Sequence, residues 1–136
     1  MIVERHLELQ QPLETDPVLL KTILENLLDN AVKFSPFGAS IHLKLWVEET
    51  DLQISVSDQG PGISEADQHT LFNKFARLSA RPTAGESSNG LGLFIVKQFA
   101  ASLKGSIHLE KSDQGACFRL SLPKAVKAHT NLSKPD

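Results

Sequence analysis

The spacing of apolar residues changes once in the N-terminal half of the chain, from a helical period to a strand period. Apolar residues first recur every three or four positions over about four helical turns. These positions are Leu20, Ile23, Leu24, Leu27, Leu28, Ala31 and Phe34. Residues 41–47 and 52–56 then alternate between apolar and polar side chains, as strands with one buried face do. A long amphipathic helix followed by two alternating runs predicts an α/β domain.

The residues that flank these segments carry capping and turn signals. Asp16 followed by Pro17 is typical of a helix start, because Asp caps free N–H groups and Pro fits the first turn. Residues 35–38, SPFG, end the helix, since Pro cannot continue it. Residues 49–51 form a short polar turn between the alternating runs, which predicts an antiparallel hairpin. Residues 2–9 alternate weakly and are interpreted as a short edge strand.

Turn signals and a loop follow the first hairpin. Residues 58–62, DQGPG, form a turn cluster. Ser64 with Asp67 three positions later resembles a capping pair, which predicts a short helix. Residues 78–89 are small and polar and show no periodicity, so we expect a mobile loop there.

The C-terminal part repeats the order of helix and hairpin. A helix is predicted over about 91–104, with Gly105 as its end signal. Residues 107–122 contain two alternating runs around a turn, which predicts a second antiparallel hairpin. Residues 125–136 are polar and are expected to be disordered. We therefore expect one domain over residues 1–124, followed by this tail.

The composition argues against several classes of protein. The 136 residues fit one domain, and fourteen Lys and Arg against sixteen Asp and Glu give a net charge of −2. That balance is not the basic footprint of a nucleic-acid-binding protein. The single cysteine, Cys117, permits neither an internal disulfide nor a cysteine zinc cage. No apolar run approaches the roughly 20 residues of a membrane span. We expect a monomeric, cytoplasmic domain that contacts neither nucleic acid nor membrane.

Polar residues of the first helix form the first candidate site. At about 100° per residue, Asn26, Asn30 and Lys33 share a stripe on the border between the apolar face and solvent. Carboxamide oxygens can coordinate a hard cation, and a lysine can reach phosphate as a point charge. Alternatively, the stripe is the ordinary polar flank of an amphipathic helix.

Two further candidates lie at a strand end and at a helix start. Asp58 continues the inward row of the second strand, where a carboxylate is costly unless a donor satisfies it, and Gly60 and Gly62 follow it. Residues 90–93, GLGL, precede a helix, whose first N–H groups can bind an anion. The alternatives are a turn-capping Asp58 and a simple loop end. The Walker-type and dinucleotide-binding glycine motifs are absent.

Taken together, these motifs resemble the nucleotide-binding boxes of sensor histidine kinases, in the same order and spacing. Residues 26–36, NLLDNAVKFSP, are similar to the asparagine box, and residues 58–63, DQGPGI, to the first glycine box. Residues 71–77, LFNKFAR, are similar to the phenylalanine box, and residues 89–97, NGLGLFIVK, to the second glycine box. Residues 115–123, GACFRLSLP, resemble the last strand of the family.

The resemblance implies the ATP-binding fold that these kinases share with type II topoisomerase ATPase domains and heat-shock chaperone ATPases. This Bergerat fold is an α/β two-layer sandwich in which about three helices pack on one face of a mixed sheet. It implies ATP and Mg²⁺ as cofactors, with Asn30 holding the metal and Asn26 and Lys33 near the phosphates. Asp58 would bind the adenine amino group.

The resemblance assigns roles to further residues. Gly60 and Gly62 would shape the pocket, and Gly90 and Gly92 would serve as lid hinge and phosphate contacts. Arg77 would lie beside the γ-phosphate. The catalytic residues would thus be Asn30, Lys33 and Arg77. The remaining nucleotide contacts would be Ile63, Phe72, Lys74, Leu91 and Leu93.

Sensor histidine kinases phosphorylate a histidine that is followed by an acidic residue. None of the five histidines in this sequence is followed by one. We therefore expect the acceptor on a separate dimerisation domain of a larger protein, which passes phosphate on to a response regulator receiver domain. The alternatives are an ATP-hydrolysing switch, a serine kinase of the same superfamily, or a nucleotide-binding module without catalysis. In the first two, a Glu acting as general base occupies the position of Asn26, which cannot take a proton.

Overall fold

The computed structural model describes residues 2–7 by their backbone, and residues 15–74, 91–112 and 114–123 with their side chains. The described residues form five strands and three helices. In chain order these are β1 (Ile2–Leu7), α1 (Pro17–Phe34), β2 (Ser40–Glu48), β3 (Asp51–Ser57), α2 (Glu65–Gln68), α3 (Gly92–Ser102), β4 (Ser106–Glu110) and β5 (Cys117–Pro123).

The five strands form one mixed sheet in the order β1-β2-β3-β5-β4. β1 lies at an edge and runs parallel to β2, whereas all other neighbours are antiparallel. Both predicted hairpins are therefore present, and the weak alternation near the N-terminus is an edge strand as expected. The mixed sheet confirms the predicted fold class.

The two capped helices begin where the sequence predicts. The Asp16 side chain accepts hydrogen bonds from the N–H groups of Val18 at 2.9 Å and Leu19 at 3.1 Å. These bonds satisfy two donors that a helix start leaves open. Ser64 caps α2 in the same way, because its hydroxyl accepts from the N–H of Asp67 at 3.2 Å.

Both long helices pack on one face of the sheet and enclose the core. The buried sheet residues on this face are the inward-pointing members of each alternating run. Their burial removes apolar area from water and supplies the main driving force for folding. The core residues of the helices are Ile23, Leu27, Ala31, Leu93, Val96 and Ala100, and those of the sheet are Ile41, Leu52, Ile54, Val56, Ile107, Phe118, Leu120 and Leu122. This arrangement is the predicted two-layer sandwich.

The end of α3 differs from the prediction. Lys104, with a φ of 65°, is the left-handed residue after the helix, and the N–H of Gly105 donates to Ala100 O at 2.8 Å. These are features of a Schellman motif, in which glycine usually takes the left-handed position. Gly105 serves another need, because a Cβ there would lie 2.3 Å from the carbonyl oxygen of Ser121. The glycine allows close approach to β5.

Several predicted features lie outside the described residues. These are the loop over 78–89, the tail over 125–136, and the candidate residues Arg77 and Gly90. Across the residues that are described, no helix combines the length and the apolar character needed to cross a membrane.

Candidate functional site

Three polar side chains of α1 lie on the border of the core, as their helical phase predicts. Asn26, Asn30 and Lys33 are all half-buried. The Asn26 side-chain nitrogen donates to the carbonyl oxygen of Thr22 at 2.8 Å, which orients its carboxamide. Lys33 Nζ lies 3.1 Å from Asp29 Oδ2, one helical turn away, in an ion pair whose carboxylate side is exposed. The stripe therefore presents two carboxamides and one cation along a single edge.

Asp58 lies at the end of β3 and is 6 % exposed. Its Oδ1 accepts hydrogen bonds from the N–H of Gly60 at 2.9 Å and the N–H of Ala116 at 3.0 Å. Burial raises the pKa of Asp58 above its ordinary value, while the two N–H donors act in the opposite direction. The inward carboxylate thus has the donors that its burial requires. Both bonds end on Oδ1, so neither uses Oδ2, which can accept from a ligand.

Main chain packs against main chain around this carboxylate. A Cβ on Gly60 would lie 2.4 Å from the carbonyl oxygen of Phe34, at the end of α1. A Cβ on Gly115 would lie 2.1 Å from the carbonyl oxygen of Asp58. Gly62 follows with a φ of 80° and faces Gly115. The segment after β3 is therefore held between α1 and the β4–β5 hairpin at distances that exclude side chains.

The first turn of α3 meets the polar stripe of α1. A Cβ on Gly92 would lie 3.1 Å from Oδ1 of Asn26, so the carboxamide faces the helix start. Leu91 is the N-cap residue of α3 and makes no side-chain capping hydrogen bond. Leu93 is 9 % exposed and belongs to the core. The asparagine box and the second glycine box are thus in direct contact.

The phenylalanine box also packs toward α3 and the core. Phe72 and Phe118 form an edge-to-face pair with ring centroids 6.1 Å apart. Lys74 Nζ lies 5.9 Å from the ring centroid of Phe94 in the first turn of α3, within the range of a cation–π contact. Ile63 packs against the core and is half-buried.

Sequence reasoning missed two hydrogen bonds at the end of β3. Ala116 is 58 positions from Asp58 and acts through its backbone N–H, so its side chain gives no signal. Gln59 accepts a hydrogen bond through Oε1 from the N–H of Ser40 at 3.0 Å. Neither hydrogen bond could be predicted without the register of the sheet, which a single sequence does not specify.

The arrangement combines the groups that a nucleotide needs. A carboxylate oxygen of Asp58 can accept from a base amino group. Carboxamides of α1 and the start of α3 offer polar groups at the other end, where an anion is favoured by helix N–H donors. Among the described residues, no group of three or more His, Cys, Asp or Glu could hold a metal by itself.

The comparison with protein families agrees with this geometry. Residues 15–126 match the model of the "Histidine kinase-, DNA gyrase B-, and HSP90-like ATPase" family. The chain is 34% identical to the sensor-like histidine kinase SenX3 of Mycobacterium tuberculosis over 122 residues, which are 89% of this chain and 30% of the relative. It is 38% identical to the adaptive-response sensory kinase SasA of a Synechococcus strain over 110 residues, or 79% of this chain and 29% of the relative. The chain therefore spans about a third of these curated relatives.

Solved structures of kinase domains have the same fold. The mycobacterial sensor histidine kinase MprB superposes with a TM-score of 0.79 and 28% identity, over 90% of this chain and 82% of that one. The nucleotide-free catalytic domain of the histidine kinase ThkA superposes with a TM-score of 0.74 and 25% identity, over 90% and 80% of the two chains. The chain belongs to the histidine kinase-, DNA gyrase B- and HSP90-like ATPase family, and it is a catalytic ATP-binding domain of the sensor histidine kinase type.

Proposed function

We propose that this domain binds Mg-ATP and donates the γ-phosphate to a histidine on a separate dimerisation domain. In this transfer the bond between the γ-phosphorus and the bridging oxygen of ADP breaks. A bond from phosphorus to the unprotonated imidazole nitrogen forms, ADP leaves with the electron pair of the broken bond, and the other imidazole nitrogen loses its proton to solvent. Positioning and charge neutralisation supply most of the catalysis in such reactions. Asp58 would read the base, and Lys33 and Arg77 would face the phosphates.

Asn26 is the observation that carries the proposal. Its carboxamide faces the start of α3. Related hydrolases and serine kinases are expected to carry a glutamate at the position of Asn26 itself. A carboxamide cannot take a proton from water or from a hydroxyl group, whereas a glutamate can act as a general base. An imidazole nitrogen is partly unprotonated near neutral pH and needs no such base. The residue at this position therefore favours a histidine acceptor.

Magnesium fits this site as an ion that the protein and the nucleotide coordinate together. Mg²⁺ prefers six oxygen ligands and keeps several waters, so one protein oxygen plus phosphate oxygens is a usual set. Asn30 offers a carboxamide oxygen on the half-buried edge of α1. When bound, the ion would neutralise phosphate charge.

The partners follow from the proposed reaction. The immediate partner is the histidine-bearing dimerisation domain of the parent kinase, and a response regulator receiver domain would take the phosphate from it. We place this monomeric domain in the cytoplasm, whether or not the parent protein has a membrane anchor. No contact of the domain with nucleic acid or with the membrane is part of the proposal.

Phosphotransfer between separated domains tests the proposal. The purified chain is incubated with γ-labelled ATP and Mg²⁺, with and without the dimerisation domain of the parent kinase. We expect label on that domain only, at a slow rate because the covalent linker and its effective concentration are absent. Asn30→Ala is expected to retain nucleotide binding and to lose transfer, and the acceptor histidine changed to Gln serves as a negative control.

Other outcomes would favour other functions. Rapid phosphate release by the chain alone, abolished by Asn26→Ala, would identify a hydrolase. Transfer to a serine of an added protein would identify a serine kinase. Nucleotide binding without transfer to any added acceptor, the cognate dimerisation domain included, would leave a binding module and contradict the proposal.

A further inference from the structure

The central strand β3 ends before its neighbour β2 does, whereas it ends at the same register position as its neighbour β5. The backbone of β3 leaves the sheet after Ser57 and turns into the glycine segment. On one side, the register that pairs His42 with Ser57 would place Gln59 opposite Ser40. On the other side, the register that pairs Ser57 with Cys117 would place the next residue of β3 opposite the residue before β5. On the β2 side, Ser40 therefore presents its backbone to a position that β3 no longer fills. On the β5 side, the N–H of Asp58 still donates to the carbonyl oxygen of Ala116 at 2.9 Å, and the N–H of Ala116 needs a side-chain acceptor.

Two successive side chains supply the missing acceptors. Asp58 Oδ1 accepts from the N–H of Ala116 on the β5 side at 3.0 Å. Gln59 Oε1 accepts from the N–H of Ser40 on the β2 side at 3.0 Å. One side chain therefore serves each neighbour. A backbone N–H left unsatisfied in a half-buried position would destabilise this end of the sheet.

The Gln59 bond joins the two segments that build opposite ends of the candidate site. Ser40 is the first residue of β2 and follows the short loop from α1, which carries Asn30. Gln59 lies between Asp58 and Gly60, and Gly60 packs on the carbonyl oxygen of Phe34. Movement of the loop after α1 would therefore change the position of α1 relative to the carboxylate.

From this arrangement we infer that Gln59 is a positioning residue for nucleotide binding. Its amide oxygen holds the α1–β2 loop against the end of β3, so that the base-binding carboxylate and the polar edge of α1 keep a fixed separation. The inference rests on the nucleotide site of the proposed function and adds to it a residue that does not touch the ligand. An amide supplies the acceptor without placing a second negative charge beside Asp58.

The test compares Gln59 with a second glutamine, Gln53, which lies on β3 itself. Gln59→Met keeps the length of the side chain and removes the amide oxygen. Gln53→Met is the matched control, because Gln53 is buried on β3 and its Nε2 donates to Ser121 Oγ at 3.0 Å. Binding of ATP is measured by calorimetry at a temperature where both variants are fully folded. The hydrogen exchange rate of the Ser40 amide is measured by NMR on the same samples.

We expect Gln59→Met to weaken ATP binding about three- to tenfold, the effect of one lost hydrogen bond. The Ser40 amide is expected to exchange at least tenfold faster, as its protection is lost. Gln53→Met is expected to lower the unfolding midpoint and to leave ATP affinity unchanged. Gln59→Glu retains an acceptor oxygen, and we expect it to restore the protection of Ser40 and most of the affinity.

The outcomes separate this inference from the proposed function. Unchanged ATP affinity in Gln59→Met, with the wild-type chain binding ATP, would show that Gln59 stabilises the sheet only. An equal loss of affinity in both methionine variants would also overturn the inference, because the effect would then follow general destabilisation. A wild-type chain that does not bind ATP would contradict the proposed function itself.

Discussion

Asp58 is a charged group in a position where burial disfavours its charge. The N–H groups of Gly60 and Ala116 hold one of its oxygens, at 2.9 Å and 3.0 Å. Desolvation still has the larger effect, and the pKa of Asp58 is raised. A residue that costs stability and is nevertheless held by two backbone donors is typical of a binding site. The sequence predicted this inward carboxylate from strand alternation alone.

The first prediction concerns the contribution of Asp58 to the affinity of the domain for ATP. Asp58→Asn keeps an oxygen for the two N–H donors but replaces the second carboxylate oxygen by an amide. We expect ATP binding to weaken about ten- to a hundredfold, since a charge-assisted hydrogen bond contributes roughly 1.5–3 kcal/mol. Calorimetric titration measures the loss, and circular dichroism checks that the fold is retained. Wild-type affinity in the variant would refute the assignment of Asp58.

The second prediction concerns the pH dependence of stability. The folded state holds the Asp58 proton more tightly than the unfolded state does, because the folded pKa is raised. The contribution of Asp58 to the free energy of unfolding therefore falls as pH rises from about 4 through the raised pKa. Asp58→Asn cannot ionise and escapes this loss.

Urea unfolding of both proteins between pH 4 and pH 7 measures the difference. We expect the variant to gain stability relative to the wild type as pH rises, and to be at least as stable at pH 7. A difference that stays constant, or that changes in favour of the wild type, would mean that the carboxylate is not destabilised by burial.

At the scale of single elements, two turns adopt backbone conformations that their residues do not favour. Glu49 has a φ of 60° in the two-residue turn between β2 and β3, and Lys104 has a φ of 65° after α3. Residues with a Cβ rarely adopt these values, and glycine adopts them readily. Neither turn contains glycine at the left-handed position, so the sequence predicted where the chain turns but not the conformation.

The third prediction concerns the turn between β2 and β3. Glu49→Gly is expected to stabilise the domain by about 0.5–1 kcal/mol, because glycine removes the steric cost of a positive φ. Thr50→Gly is the control, since Thr50 does not have a positive φ among the described residues. We expect that variant to destabilise the domain by a similar amount. Urea midpoints with unchanged slopes measure both effects, and a shift of both variants in the same direction would exclude turn geometry as the cause.

Whole elements were predicted better than the contacts between them. The helix caps at Asp16 and Ser64, both hairpins and the inward face of the sheet follow from local chemistry and periodicity, and the structure contains all of them. One partner of Asp58, Ala116, is a backbone group far along the chain, and Gln59 acts through the sheet register. Such contacts depend on tertiary packing, which one sequence does not specify.

The fourth prediction concerns the whole molecule and its response to nucleotides. A ligand that binds only the folded state stabilises it by RT ln(1 + [L]/Kd), or about 2.7 kcal/mol at a hundredfold excess over Kd. We expect Mg-ATP at that excess to raise Tm by roughly 8–12 °C. GTP at the same concentration is expected to have little effect, because guanine has a carbonyl oxygen where adenine has its amino group and would face a carboxylate.

Thermal unfolding with ATP, GTP and buffer alone measures these shifts, and Asp58→Asn is the control. The variant should lose most of the shift with ATP. Equal shifts with ATP and GTP in the wild type would mean that the protein binds the phosphates without reading the base.

The close main-chain packing at Gly60 and Gly115, around Asp58, has a consequence for inhibitors. A Cβ at Gly60 or Gly115 would lie within 2.4 Å or 2.1 Å of a backbone carbonyl oxygen, so substitution at either position disrupts the pocket itself. A larger side chain at Gly60 or Gly115 is therefore not a route to drug resistance. A compound anchored on Asp58 and on this main-chain packing would therefore meet little escape by mutation at Gly60 or Gly115.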